Sequence, residues 1–401
     1  MFRSIVALAL LAVATAFSSR TSFTPSLSRS LSLSLSLSSS SSSSFSSSLQ
    51  HMHRNTRMQM QMQANPFEDF LNSLTGGGGG GKQKLSCVAI TGATGMIGTE
   101  LTRVLEEQGV KVVKVSTRKL EGAVYWDPLA GTVQNPSLLE GVEVFVHLAG
   151  ENVASGEGPL AFLGTWSDAK KQRILASRVD GTKLLVDTIA GMKKKPRLLI
   201  SASAAGVYGY RDENTLFDEA NTTPGEGFLA QVCREWESEA LKAQKAGVRT
   251  VCLRLPPVLS TRGGILAKLL PIFGLGAGGA LGAGGQGFSW VSLGDVVRAV
   301  LFVAGAGEGG AGKVGSLKGP INVCSPNPST NLEFTKAFGK ALSRPAVVPV
   351  PGPVIGLLGE MGAEMLLGGQ RCVPTKLGGL GFEFEDSDLE DALRKIVQQK
   401  L

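Results

Sequence analysis

No aspartate or glutamate occurs before Glu68 in a chain of 401 residues, and that absence divides the sequence in two. The first 67 residues hold five arginines (Arg3, Arg20, Arg29, Arg54, Arg57) and two of the three histidines, so most of the formal charge of +7 belongs to the leader. From Glu68 to Leu401, 35 basic residues face 33 acidic ones. Nucleic-acid-binding domains need a clustered excess of Lys and Arg to displace counterions from phosphates, and this balance excludes that class. Cysteine pairs are also missing. The five Cys (Cys87, Cys233, Cys252, Cys324, Cys372) are scattered singly with no CxxC, and His147 is the sole histidine of the body. A zinc site and a disulfide framework are therefore not expected. A Ser-His-Asp hydrolase would have to use His147, which ends an apolar strand and is read as a packed residue. The body contains no run of 18 uninterrupted apolar residues, so no membrane-spanning segment is expected there.

The leader reads as an address. Arg3 supplies a basic n-region, Ile5 to Val13 an apolar h-region and Ala14-Thr15-Ala16 a cleavage site, so residues 1–16 form a signal peptide. Residues 17–66 hold 19 Ser between Ser18 and Ser48 and no acid, a transit-peptide-like composition that should not fold alone. A signal peptide followed at once by such a segment, with Phe17 directly after the cleavage site, resembles the bipartite presequences that send proteins into the complex plastids of algae. That resemblance implies a plastid stroma location. Residues 67–84 form a linker containing the hexaglycine Gly76 to Gly81.

The strongest chemical signal follows the linker. A β-rich run, Ser86 to Thr91, leads into GATGMIG and then a helical pattern ending at Gly109, the order of strand, glycine turn and helix that dinucleotide binding requires. Gly92 permits the tight turn, Gly95 lets the backbone approach a pyrophosphate, and Gly98 lets helix and strand pack closely. Thr94, Met96 and Ile97 complete the cofactor-binding turn, with the phosphates at the positive helix end. The next strand, Val110 to Ser116, runs into Thr117, Arg118 and Lys119 where an acid would accept the 2'-hydroxyl of NAD. Cations there suit a 2'-phosphate, so NADP is favoured. Val142 to Leu148 is a buried parallel strand, and Leu148, Ala149 and Gly150 would let a nicotinamide ribose lie against backbone. Ser201 and Ser203 end another apolar strand at the sheet edge where open α/β folds bind ligands.

TGATGMIG, the HLAG turn and SASAAGVYG (Ser201 to Gly209) together resemble the extended short-chain dehydrogenase/reductase superfamily. Gly164 to Val186, Phe228 to Ala240, Gly263 to Asp295 and Gln370 to Leu393 narrow the resemblance to its atypical epimerase-family branch, whose members end in a small domain of unknown function. The likeness covers nearly all of Leu85 to Leu401. It implies an α/β fold, a Rossmann-type doubly wound parallel sheet over 85–325 with a small, mostly helical C-terminal domain over 326–401, and NADP as cofactor.

The departures concern catalysis. Extended dehydrogenases carry a Ser or Thr four residues before the Tyr of VYG, and a Tyr-x-x-x-Lys pair about twenty residues later whose Lys also holds the nicotinamide ribose. Counting back from Tyr208 gives Ala204, and counting forward reaches Phe228-Leu229-Ala230-Gln231-Val232. If Tyr208 is itself the acid, its partner four residues on is Asp212, and a carboxylate raises a phenol's pKa. Pro256-Pro257 and Val291-Ser292 also depart from the family pattern. Tyr208 and Ser203 are kept as candidate catalytic residues, although packing is the default for the first. Trp236 reads as core, Glu237 as solvated or capping, Cys233 as inert, and Arg178 as either an anion holder or one half of a surface salt bridge. Gly274 to Gly287 reads as a mobile loop able to close over a ligand. Asp295 reads as the N-cap of a helix to Ala304.

The expectation is therefore a plastid NADP(H)-binding protein, an oxidoreductase or epimerase acting on an unknown small molecule. The alternative is a non-catalytic NADP(H) sensor or scaffold with a protein partner in plastid organisation or division.

Overall fold

The computed structural model describes residues 85–155, 165–210, 215–221, 223, 225–305 and 314–399. The signal-peptide, transit and linker expectations, and Asp212, fall outside the described residues.

Eight strands form the central sheet: β1 (Cys87–Thr91), β2 (Lys111–Ser116), β3 (Val124–Asp127), β4 (Thr132–Gln134), β5 (Val144–His147), β6 (Leu198–Ala204), β7 (Arg249–Leu255) and β8 (Gly319–Asn322). Their spatial order is β8-β7-β6-β5-β1-β2-β3-β4, and every neighbouring pair is parallel except β3 with β4. The chain builds outward from β1 through β2 to β4, then returns to place β5 on β1's other side. The sheet is thus doubly wound, and the point where its direction reverses lies between β1 and β5, whose carboxyl ends open the ligand crevice of such folds.

The central strands are apolar on both faces because helices cover both: Val144 to His147 is buried throughout, and β6 is buried up to Ser203. Three long helices do most of this covering: α1 (Met96–Glu107), α2 (Asp168–Gly191) and α3 (Phe228–Leu241). In α1, Leu101, Val104 and Leu105 fall at helical spacing and are all buried, each contributing about 1.5–3 kcal/mol relative to exposure.

The later chain builds a second core. Leu266 and Phe273 from α4 (Gly264–Gly274) pack with Trp290, with Phe334 and Phe338 from α5 (Asn331–Ala341), and with Leu393 and Val397 from the final helix α6 (Leu389–Gln398). The C-terminal region is helical. Thr330 caps α5 in a reciprocal box with Glu333, and Asp388 caps α6.

Two expectations change here. The glycine-rich block after α4 is pinned rather than free. Val348 N–H donates to the Gly278 carbonyl at 3.0 Å, Val350 N–H to Ala280 at 2.9 Å and Gly282 N–H to Val350 at 2.9 Å. A Cβ on Gly279 would stand 1.8 Å from the Val348 oxygen, so glycine here serves close backbone packing. Asp295 is not an N-cap. Ser292 caps the helix Leu293–Val303, and the buried Asp295 carboxylate takes the Arg298 guanidinium at 2.7 Å and the Glu385 and Asp386 N–H groups at 3.0 Å each. It fastens the C-terminal segment to the sheet domain, a contact between residues 90 positions apart that no local pattern announces.

Candidate functional site

β1 ends at Thr91 and the chain turns through Gly92 with φ of +68°, a left-handed conformation that favours glycine. Gly95 N–H closes the turn on the Gly92 carbonyl at 2.9 Å. A Cβ on Gly98 would stand 2.3 Å from that same oxygen, so the helix can start this close to the turn only with glycine there. Gly95 is the N-cap of α1 and brings no side chain, and no acid occupies the first turn. The positive end of α1 is left uncapped beside the crevice, which is the form of a phosphate site.

A cavity of about 350 Å³ opens there. Gly92 to Gly95, Lys114 to Arg118, Leu120, Trp126, Pro128, Leu148 to Glu151 and Ser177 line it, and the strand order β5-β1-β2 sets the Leu148 and Lys114 segments on opposite sides of the glycine turn. Of the residues expected from sequence, the fold brings Gly92, Thr94, Gly95, Thr117, Arg118, Leu148, Ala149 and Gly150 to its wall. Met96, Ile97 and Gly98 begin the helix behind it. Lys114, Trp126, Pro128, Glu151 and Ser177 line it without having been anticipated. Sequence offered a weak signal for two of them, the WDP that follows the Arg118 loop, whereas Ser177 arrives from the middle of α2.

Ser201, Ser203 and Tyr208 lie outside the cavity wall. Ser201 is buried and donates to the Ala202 carbonyl at 3.2 Å. Ser203 donates to Glu237 Oε1 at 2.8 Å, and that carboxylate also receives Arg254 through Nε at 2.8 Å and Nη2 at 2.9 Å. Glu237 is therefore a buried ion-pair partner rather than solvated or capping. Arg254 Nη1 donates to the Tyr208 hydroxyl at 3.0 Å, whose proton faces Asn322 Oδ1 at 2.8 Å and the Asp218 carbonyl at 3.0 Å. Burial pushes the Tyr208 phenol well above its ordinary range, against the lowering pull of Arg254. Phe217 stacks on its ring at 5.0 Å.

His147 is fully buried between Thr91, 2.7 Å from Nδ1, and Thr182, 2.9 Å from Nε2. Thr91 Oγ1 already accepts the Leu148 and Ala149 N–H groups at 3.1 and 3.2 Å, so its own proton goes to Nδ1 and the ring is the Nε2–H tautomer. Burial, helped by the nearby Arg178 charge, depresses its pKa to about 3. A neutral histidine thus braces the turn that forms the cavity wall. Cys233 is buried and its thiol is pushed up to about 12 by burial first, consistent with an inert group.

The match to the family model described as "NAD dependent epimerase/dehydratase family" spans residues 88–317, more than half of the chain. This chain belongs to that family. A second family model, a domain of unknown function numbered DUF1731, matches residues 348–396. Among relatives in the epimerase family, the chain is 37% identical over 309 residues to the epimerase family protein Mb2239 of Mycobacterium bovis, covering 76% of this chain and 96% of that protein. It is 37% identical over 327 residues to a chloroplastic epimerase family protein, the SDR39U1 homolog of Arabidopsis thaliana, covering 79% and 88%. The crystal structure of human epimerase family protein SDR39U1 with NADPH superposes with a TM-score of 0.67 at 29% identity, over 78% of this chain and 99% of that one.

Proposed function

We propose that this epimerase-family chain binds NADP(H) in the cavity at the glycine turn and works in the plastid, as an oxidoreductase or epimerase on a small molecule. One observation carries the cofactor reading. The cavity end beside β2 presents Lys114, Thr117 and Arg118 and no carboxylate among its lining residues. A 2'-phosphate finds charge-assisted donors there, whereas a ribose 2'-hydroxyl finds no acceptor carboxylate. The uncapped start of α1 suits the pyrophosphate, and the human relative crystallised with NADPH supports the same choice. The leader's composition and the chloroplastic Arabidopsis relative support the plastid.

NADP(H) would supply or accept the hydride, and the chain's own residues would hold it and manage the proton. Tyr208 is poorly suited to that proton, because its hydroxyl is engaged by Arg254, Asn322 and the Asp218 carbonyl. The same observation favours a second reading, a non-catalytic NADP(H) sensor or scaffold that contacts a partner in plastid organisation.

The test is thermal unfolding of the full chain with NADPH, NADP, NADH and NAD in separate samples. A ligand at 100 times its dissociation constant stabilises the fold by about 2.7 kcal/mol. NADPH should raise the midpoint and NADH should not; no shift with any nucleotide removes the reading. Oxidation of NADPH by any of a panel of sugar nucleotides and quinones then favours the enzyme, and a partner captured only with NADPH favours the sensor.

A further inference from the structure

The guanidinium of Arg178 lies directly behind Gly150. A Cβ on Gly150 would stand 3.1 Å from Arg178 Cζ and 3.2 Å from Nη2, so glycine is what allows the cavity wall to lie flat against this cation. Arg178 Nη1 is used internally, donating to the carbonyls of Glu151 at 3.1 Å and Ile174 at 3.2 Å. Ser177 Oγ is 3.4 Å from the same nitrogen. Nε and Nη2 donate to nothing among the described residues, and no carboxylate there forms an ion pair with Arg178. The neighbouring surface is the indole of Trp236, its ring centre 5.1 Å from Cζ. Trp236 is 5% exposed, and its Nε1 has no hydrogen-bond partner among the described residues.

Burial of a cation is costly, and burial depresses the pKa of Arg178 against the raising pull of the nearby Glu151 carboxylate, with which it makes no direct ion pair. Arginine nevertheless keeps its proton, so donors remain for a group that arrives from outside. Arg178 itself is not part of the cavity wall, and it is the lining residue it lies against, Gly150, that identifies that group. Gly150 follows β5 and Arg118 follows β2, on opposite sides of the glycine turn that follows β1. A dinucleotide anchored by a 2'-phosphate at Arg118 and a pyrophosphate at α1 reaches Gly150 with its second ribose.

We propose that Arg178, lying against Gly150, holds the ribose hydroxyls on the nicotinamide side of the cofactor. The proposal rests on the NADP(H) reading above and concerns only its far end.

Two probes separate the ends: NADPH, and adenosine 2',5'-bisphosphate, which has the phosphates of the Arg118 end but no nicotinamide ribose. Dissociation constants are measured on the full chain and on Arg178→Met, Arg178→Lys and Gly150→Ala. Loss of one charge-assisted interaction predicts that Arg178→Met weakens NADPH about tenfold while the bisphosphate changes less than about twofold. Arg178→Lys should recover part of the loss. Gly150→Ala, which retains Arg178 and displaces it, should repeat the pattern even if Arg178→Met folds poorly. Equal weakening of both probes would reduce Arg178 to a packing residue and overturn the proposal, as would no weakening of either. If the unmodified chain binds neither probe, the NADP(H) reading itself fails and takes this one with it. If Arg118→Met weakens both probes while Arg178→Met weakens only NADPH, the two ends are assigned independently.

Discussion

Glu237 and Arg254 face each other across the end of the sheet in a bidentate ion pair, Oε1 to Nε at 2.8 Å and Oε2 to Nη2 at 2.9 Å, both side chains about 10% exposed or less. Ser203 and Tyr208, two residues that sequence offers for chemistry, are each tied to one partner of this pair. Removing one member leaves a buried charge alone, so Glu237→Leu should cost about 3–5 kcal/mol in urea denaturation. Adding Arg254→Met should recover a large part of that loss, because the stranded charge is gone. A loss below about 1 kcal/mol for the single variant would show that water reaches the pair.

His147 predicts a pH dependence with a definite sign. Its folded pKa of about 3 lies below the ordinary value of 6.5, so the unfolded chain binds a proton first as pH falls. The stability is fully present above pH 6.5 and is lost progressively between there and about pH 3. Across that window the wild-type slope of unfolding free energy should exceed that of His147→Gln by up to one proton, about 1.4 kcal/mol per pH unit. Equal slopes in denaturant titrations between pH 4 and 6 would mean that the ring is not held neutral.

Gly98→Ala should damage both the fold and the nucleotide site. Its Cβ would meet the Gly92 oxygen at 2.3 Å and Ala93 Cα at 2.7 Å, both backbone atoms that can yield only by moving the turn. A destabilisation of about 1–3 kcal/mol is expected, together with loss of the thermal shift given by NADPH. An unchanged shift would place the nucleotide somewhere other than this turn.

Arg118→Glu tests the choice of cofactor. Arg118 lines the cavity from an exposed loop, so the substitution should leave stability within about 0.5 kcal/mol. It should abolish the NADPH shift and leave any NADH response unchanged or enlarged. A variant that still prefers NADPH would transfer the role to Lys114.

Much of the nucleotide half could be read along the chain because its parts are consecutive. Strand, Gly92 turn and α1 occupy one unbroken stretch, and each glycine answers a backbone requirement set by neighbours a few residues away. His147 reads as packed for the same local reason, an apolar strand around it. The residues that were missed or misassigned have partners from distant segments. Ser177 meets the Glu151 N–H only because α2 packs beside the turn after β5, and Glu237 meets Arg254 only because α3 packs over β6 and β7. Asp295 looked like a cap since nothing nearby in sequence reveals the N–H groups of Glu385 and Asp386. The glycine-rich block suggested mobility, yet its missing side chains make room for Val348 to Val350.

Sequence by itself determined the class of fold, the strand-turn-helix site and the cations beside it, because hydrophobic period, glycine placement and charge act over a few residues. Tertiary structure decided what the remaining polar groups do. Ser203 and Tyr208 are drawn into a buried network that satisfies Glu237 and Arg254, since a charge taken out of water must find its hydrogen bonds wherever the packing brings them. Arg178 lies so close to Gly150 that a Cβ there would stand 3.1 Å from its Cζ, a relation that exists between α2 and the turn after β5 and nowhere along the chain.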